Sequence, residues 1–150
     1  MSLPISLIYH KYGSDITGTS VLANPEDYYV GPNVEIDRNA YIEPDVVLGP
    51  NVKIGKNAVI YTGSVIRNCI IGDDYTCGEN TVIGYESAMY ASMGENMGCS
   101  TTLGRVIIGN NVEIGACSDV CRGTHIDTII EDGVKIAFQT HVEPGKHIEI

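Results

Sequence analysis

Four histidines, two late arginines and five cysteines are the side chains here best suited to chemistry. His125 and His141 each precede a β-branched residue, Ile126 and Val142. If Ile126, Ile130, Ile136 and Val142 occupy successive faces of a three-sided coil, the two imidazoles stack on one edge about 5 Å apart. Such a pair could serve as proton acceptor and orienter, or as metal ligands completed by a third histidine from a neighbouring subunit. The plain alternative for any single histidine is an exposed edge position. His147 precedes Ile148 on the next face, and His10 lies in an amino-terminal segment where a structural or exposed position is expected.

Arg105 and Arg122 are two of the four basic residues after position 75. A guanidinium there could fork onto a phosphate or carboxylate, or simply pair with Asp119 or Asp127. Tyr85, Met89 and Tyr90 join Met93 and Met97 in one stretch, a mixture suited to an adaptable apolar wall for an acyl or nucleotide group. The cysteines (Cys69, Cys77, Cys99, Cys117, Cys121) are odd in number and form no C-x-x-C pair, so neither a disulfide framework nor a zinc knuckle is indicated. They read as buried or idle thiols, and no metal is expected.

What positions these groups is a β framework. The 150 residues include 20 Ile and 14 Val against 5 Leu, one Phe and no Trp, and β-branched residues suit a pleated surface better than a helix. A helix bundle is excluded on that ground. The formal charge of −10 is spread over the whole chain without a basic run, which argues against nucleic-acid binding. Apolar runs are far shorter than the roughly 20 residues of a membrane helix, and the start Met1-Ser2-Leu3-Pro4-Ile5 is not a signal peptide, so a cytoplasmic protein is expected.

The framework repeats every six residues. Val30, Ile36, Ile42, Leu48, Ile54, Ile60 and Ile66 open hexads; the register slips by one to Ile71 and Cys77, then resumes at Ile108, Ile114, Val120, Ile130, Ile136 and Val142. Four residues into each unit stands a second small or apolar side chain, such as Val46, Ala58, Ser64, Val112 or Ser118. Three residues in, Asn, Asp or Gly predominates (Asn33, Asn39, Asn51, Asn57, Gly63, Asn80, Asn111, Gly123, Gly133), residues that accept left-handed turns. The pattern predicts a prism of short strands with the first column stacked inside, in about five to six coils over residues 30–150. Residues 1–29 fit poorly and are expected to cap the first coil. Between Gly84 and Val106 the hexads vanish, so an excursion loop is expected over 85–105. The chain stops at His147–Ile150 inside a repeat, which implies cover from a partner or a shortened version of something longer.

This hexad pattern resembles that of the left-handed parallel β-helix acyltransferases, and the expected handedness comes from that resemblance. A more specific likeness lies between Ile83 and Ile136: Gly84-Tyr85-Glu86-Ser87-Ala88-Met89-Tyr90-Ala91, then Leu103-Gly104-Arg105-Val106-Ile107-Ile108-Gly109, then Arg122-Gly123-Thr124-His125-Ile126-Asp127-Thr128 and Glu131-Asp132-Gly133-Val134-Lys135-Ile136. These segments resemble the UDP-3-O-acylglucosamine N-acyltransferases of lipid A synthesis. The resemblance implies transfer of an acyl group from an acyl carrier protein thioester to the amine of a UDP-sugar, no bound cofactor, a histidine base and a site shared within a homotrimer. Aligned without gaps, the family's catalytic-histidine column holds Pro144; His141, three residues earlier, takes the role if a short deletion is allowed. His141 and His125 are accordingly the catalytic candidates, with Tyr85, Met89, Tyr90, Arg105 and Arg122 as substrate-binding candidates. Two other readings stay open: a small sugar acetyltransferase using acetyl-CoA, and a truncated or inactive trimeric scaffold. A histidine-bound metal would resemble a γ-class carbonic anhydrase, whose histidine spacing is not evident here.

Overall fold

The computed structural model describes residues 27–87, 90–93, 96–99 and 101–150. Most of the expected amino-terminal cap, residues 1–26, and Met89 lie outside the described residues. The rest is a three-faced parallel β-solenoid of about six coils without any helix, the architecture of a left-handed parallel β-helix. One face stacks Tyr29–Val30, Val47–Leu48, Val65–Ile66, Val82–Tyr85, Asp119–Cys121 and His141–Val142. The second stacks Val34–Ile36, Val52–Ile54, Cys69–Ile71, Val106–Ile108, Thr128–Ile130 and His147–Ile148. The third stacks Tyr41–Ile42, Val59–Ile60, Thr76–Cys77, Glu113–Ile114 and Lys135–Ile136.

The inward column is the one the hexads predict, and Leu48, Ile54, Ile60, Ile66, Ile71, Cys77, Ile108, Ile114, Val120 and Ile130 are all buried. Ile83 and Ile148 belong to it as well: Ile83 pairs with Ile66 and Val120, and Ile148 with Ile130. Full burial of such a side chain contributes about 1.5–3 kcal/mol. Val46, Ala58, Ser64, Val112 and Ser118 form the second buried column, and Tyr75 fills the same layer as its largest member.

The corners use left-handed residues. Asn33, Asn51, Asn57, Asn80 and Asn111 have φ between 54° and 58°, and Gly63 and Gly133 are positive too. Asn39 and Gly123 are not left-handed; instead Asp37 accepts from the Asn39 amide, and Gly123 is demanded by close packing. Asx side chains tie one corner to the next coil. The amide of Lys56 donates to Asp73, that of Asp73 to Asn110, and that of Asn110 to Asp132, at 2.6–2.8 Å.

Coil length varies. Through Val30, Leu48, Ile66, Ile83, Val120 and Val142, successive coils take 18, 18, 17, 37 and 22 residues. The 37-residue coil carries the excursion, within which Tyr90–Met93 and Asn96–Cys99 pair as an antiparallel hairpin. The 22-residue coil has four more residues than the 18-residue ones, and they fall between Cys121 and Thr128.

Candidate active site

Alternation along a strand turns Val120 into the core and points Asp119 and Cys121 away from it, Asp119 half-buried and Cys121 buried. Tyr85 stands beside Cys121 on the preceding coil, and His141 beside Asp119 on the following one. Three consecutive rungs of one face thus bring a phenol, a carboxylate, a thiol and an imidazole together. Asp119, Cys121 and His141 offer ligand atoms all within 4.8 Å of one another.

His141 Nδ1 is hydrogen-bonded to Asp119 Oδ2, and the Tyr85 hydroxyl donates to the same oxygen at 2.5 Å. Burial first, and then the bond to the Asp119 carboxylate, raise the Tyr85 hydroxyl far above its ordinary value, so it stays a donor. Burial also pushes the Cys121 thiol up; the Tyr85 hydroxyl offsets this in part, while the Asp119 and Glu143 charges add to it. With Asp119 ionised, the proton between the pair belongs to Nδ1, and Nε2 carries the lone pair. The His141 side chain is half exposed.

His141 forms the ridge between two open grooves. One of about 660 Å³ is lined by Ser87, Thr124, His125, Ile126 and Pro144. The other, of about 550 Å³, is lined by Ala137, Thr140, Lys146 and Ile148. His125 therefore shares a groove with His141 but is not stacked on it. The expected stacking fails because Ile126 is not an inward residue; it lies exposed in the four-residue insertion, and Asp119 occupies the position next to His141. His147 lies on the second face and bonds to Glu131 at 2.7 Å.

The insertion explains the Arg-Gly-Thr-x-x-Asp-Thr element. Arg122 Nε donates to the Gly104 carbonyl at 2.6 Å, and its guanidinium lies 3.9 Å from Glu86. A Cβ on Gly123 would fall 1.4 Å from the Ile126 carbonyl oxygen, so only glycine fits. Asp127 accepts from both the amide and the guanidinium of Arg105, at 2.7 and 3.1 Å. These bonds hold the Asp127 carboxyl below its usual range. Thr128 donates to the Cys121 carbonyl and accepts from the Gly145 amide, clamping the insertion against the following coil. Arg105 pairs with Asp127, while Arg122 contacts Gly104 and Glu86 rather than Asp119 or Asp127, and both fasten the loop exit. Tyr90 lies in the hairpin strand, and its side chain is outside the described residues, as is Met89.

Asp119 and Cys121 were not among the sequence candidates for this site. The signal that finds them is the coil length: stepping back 22 residues from His141 gives Asp119, whereas the regular 18 gives Gly123.

Residues 25–94 match the family described as the GMPPB C-terminal domain. A UDP-3-O-acylglucosamine N-acyltransferase of Saccharophagus degradans is 47% identical over 62 residues, covering 41% of this chain and 18% of the relative. Its namesake in Idiomarina loihiensis is 34% identical over 85 residues, 57% of this chain and 25% of the relative. The matches thus span a quarter or less of these relatives. Among solved structures, a perosamine N-acetyltransferase of Caulobacter crescentus, in complex with CoA and GDP-perosamine, superposes with a TM-score of 0.64 at 17% identity, covering 96% of this chain and 60% of that one. An Arabidopsis UDP-N-acetylglucosamine acyltransferase gives 0.65 at 20%, covering 81% and 49%. The chain shares the β-helix fold of the hexapeptide-repeat sugar acyltransferases, and part of its sequence is similar to the UDP-3-O-acylglucosamine N-acyltransferases.

Proposed function

We propose that this chain is an acyltransferase that moves an acyl group from a thioester to the amine, or a hydroxyl, of a nucleotide-linked sugar, with His141 as general base. The observation that carries the reading is the Asp119–His141 pair at the ridge between two grooves. His141 Nε2 takes the proton as the acceptor nitrogen attacks the thioester carbonyl. The tetrahedral intermediate then collapses, the C–S bond breaks, and the imidazolium returns its proton to the departing sulfur. The products are an amide and a free thiol. Asp119 fixes the tautomer and balances the imidazolium charge, and Tyr85 fixes Asp119.

His125, across the shared groove, is the second catalytic candidate. Tyr85, Met89, Tyr90, Arg105 and Arg122 remain the proposed acceptor-side residues, the arginines by shaping the loop exit. The reading carries a homotrimer, a cytoplasmic location and an acyl carrier protein or acyl-CoA donor with it. No helix among the described residues is long and apolar enough to cross a membrane.

Pro144 lines the groove beside His141, so the base lies three residues from the column expected for the lipid A enzymes. This supports, as a second reading, an inactive trimeric scaffold, beside the third reading of a small sugar acetyltransferase with acetyl-CoA as donor. Thiol release from acetyl-CoA and from acyl carrier protein thioester, with UDP- and GDP-linked amino sugars as acceptors, tests both. Turnover with either donor that is lost in His141→Ala supports the base; no thiol release with any pair leaves the inactive-scaffold reading.

A further inference from the structure

Asp119, Cys121 and His141 hold more donor chemistry than a proton relay needs. The His141 nitrogen that faces the cluster is Nδ1, the atom already on Asp119 Oδ2. Cys121 adds a sulfur that neither accepts the reacting proton nor positions His141, and all three ligand atoms lie within 4.8 Å. The Tyr85 hydroxyl donates to the Asp119 oxygen that His141 also bonds and interacts with the Cys121 thiol as well, so it lies among the three ligand atoms and must turn aside, still holding the carboxylate, to admit an ion. Glu143 in the groove wall adds negative charge beside the cluster. One oxygen, one nitrogen and one sulfur make three of the four donors of a tetrahedral site, its sulfur buried and its imidazole half exposed, and the thiolate selects a soft or borderline ion over Mg²⁺ or Ca²⁺.

We propose that Asp119, Cys121 and His141 form a binding site for a borderline-soft divalent cation of the Zn²⁺ type, and that the bound ion switches the general base off. Zn–N and Zn–O bonds of about 2.0–2.1 Å in a tetrahedron separate their ligand atoms by roughly 3.3 Å, so the Asp119–His141 hydrogen bond must open to admit the ion. The ion on Nδ1 moves the imidazole proton to Nε2. The nitrogen that would accept the acceptor's proton then has no lone pair, and acyl transfer stops without any change of fold. No C-x-x-C spacing announces the set, because strand pairing across two coils assembles it.

The binding half stands on the geometry alone; only the switch rests on the proposed acyl transfer. The test is titration of the full chain, under reducing conditions, with Co²⁺ as a spectroscopic probe and Zn²⁺ as competitor. Binding is expected near one ion per chain with a thiolate-to-cobalt charge-transfer band, displaced by Zn²⁺ and indifferent to excess Mg²⁺. Cys121→Ser should abolish the band, and Asp119→Asn should weaken binding at least tenfold, each with an unchanged circular dichroism spectrum. Cys117→Ser and Cys99→Ser should keep the band. Absence of the band, its survival in Cys121→Ser, or its loss in Cys117→Ser or Cys99→Ser overturns the site. Zn²⁺ should then inhibit thiol release by the parent chain while sparing Cys121→Ser. If cobalt binds as described but no donor is ever consumed, the acyltransferase reading fails and the metal site stands. If transfer occurs and Zn²⁺ binds without inhibiting it, the switch falls.

Discussion

Asp119 and His141 are cross-strand partners 22 residues apart, joined through Oδ2 and Nδ1, in a solenoid whose regular coils need only 17 or 18 residues per turn. The four added residues lie at the corner between Cys121 and Thr128, so the strands that carry Asp119 and His141 stay partners across them.

Asp119→Asn keeps the shape of the carboxylate but makes it a poor partner for Nδ1–H. It should cut acyl transfer by about 10²- to 10⁴-fold, and His141→Ala should do the same, since general-base catalysis is of this order. Because the two act as a unit, the double variant should be scarcely slower than either single one. Initial rates of thiol release on the three variants check this; additive losses would show independent roles.

Gly123→Ala should destabilise the chain by roughly 3 kcal/mol, because its Cβ would overlap the Ile126 carbonyl and backbone must move. Gly78 and Gly104 are also tight, whereas Gly31 has room at 3.4 Å, so Gly31→Ala is the matched control. Denaturant unfolding of the two variants measures the difference.

Tyr75→Phe should be neutral or stabilising by about 1 kcal/mol. The Tyr75 hydroxyl is fully buried, has no hydrogen bond of ordinary geometry, and has its dissociation suppressed by that burial. Removing it costs no partner. A drop in melting temperature would reveal a buried polar contact at the Cys77 thiol.

The Asp127 carboxyl titrates below its unfolded value of about 3.9, because Arg105 and its own amide bond to the charged form. A depressed carboxyl pKa favours the folded state above the unfolded value, and that benefit disappears as pH falls through the folded one. Asp127→Asn should therefore melt lower than the parent at pH 7, and the gap should narrow steadily below about pH 4. A gap that stayed constant to the lowest pH would assign the effect to packing rather than charge.

The six-residue column was legible because it is enforced at every rung: an inward residue stacks on an equivalent one above and below, so only shapes such as Ile54, Ile71 and Ile108 recur there. The site was less so, because strand register, not spacing, assembles it. Ile126 stands six residues after Val120 and so mimics the next column member, yet Thr128–Ile130 takes that place by pairing with Val106–Ile108. Counting Ile126 as a face pairs His141 with His125 and hides Asp119. Arg105 and Arg122 drew notice by their scarcity, but their contacts with Asp127, Gly104 and Glu86 depend on how the insertion folds back.

The added residues of the 22-residue coil are absorbed at a corner, and the strands above and below stay in register, the one irregularity among the described paired strands of these faces lying at Gly84 between Ile83 and Tyr85. The solenoid thus works as a ruler with marks one strand spacing, about 4.8 Å, apart. Extra chain changes what hangs from a mark and never the distance between marks. A functional group can accordingly be moved along the axis only in whole steps. Lengthening or trimming the insertion between Cys121 and Thr128 should leave Asp119 beside His141 and the histidine's own height unchanged.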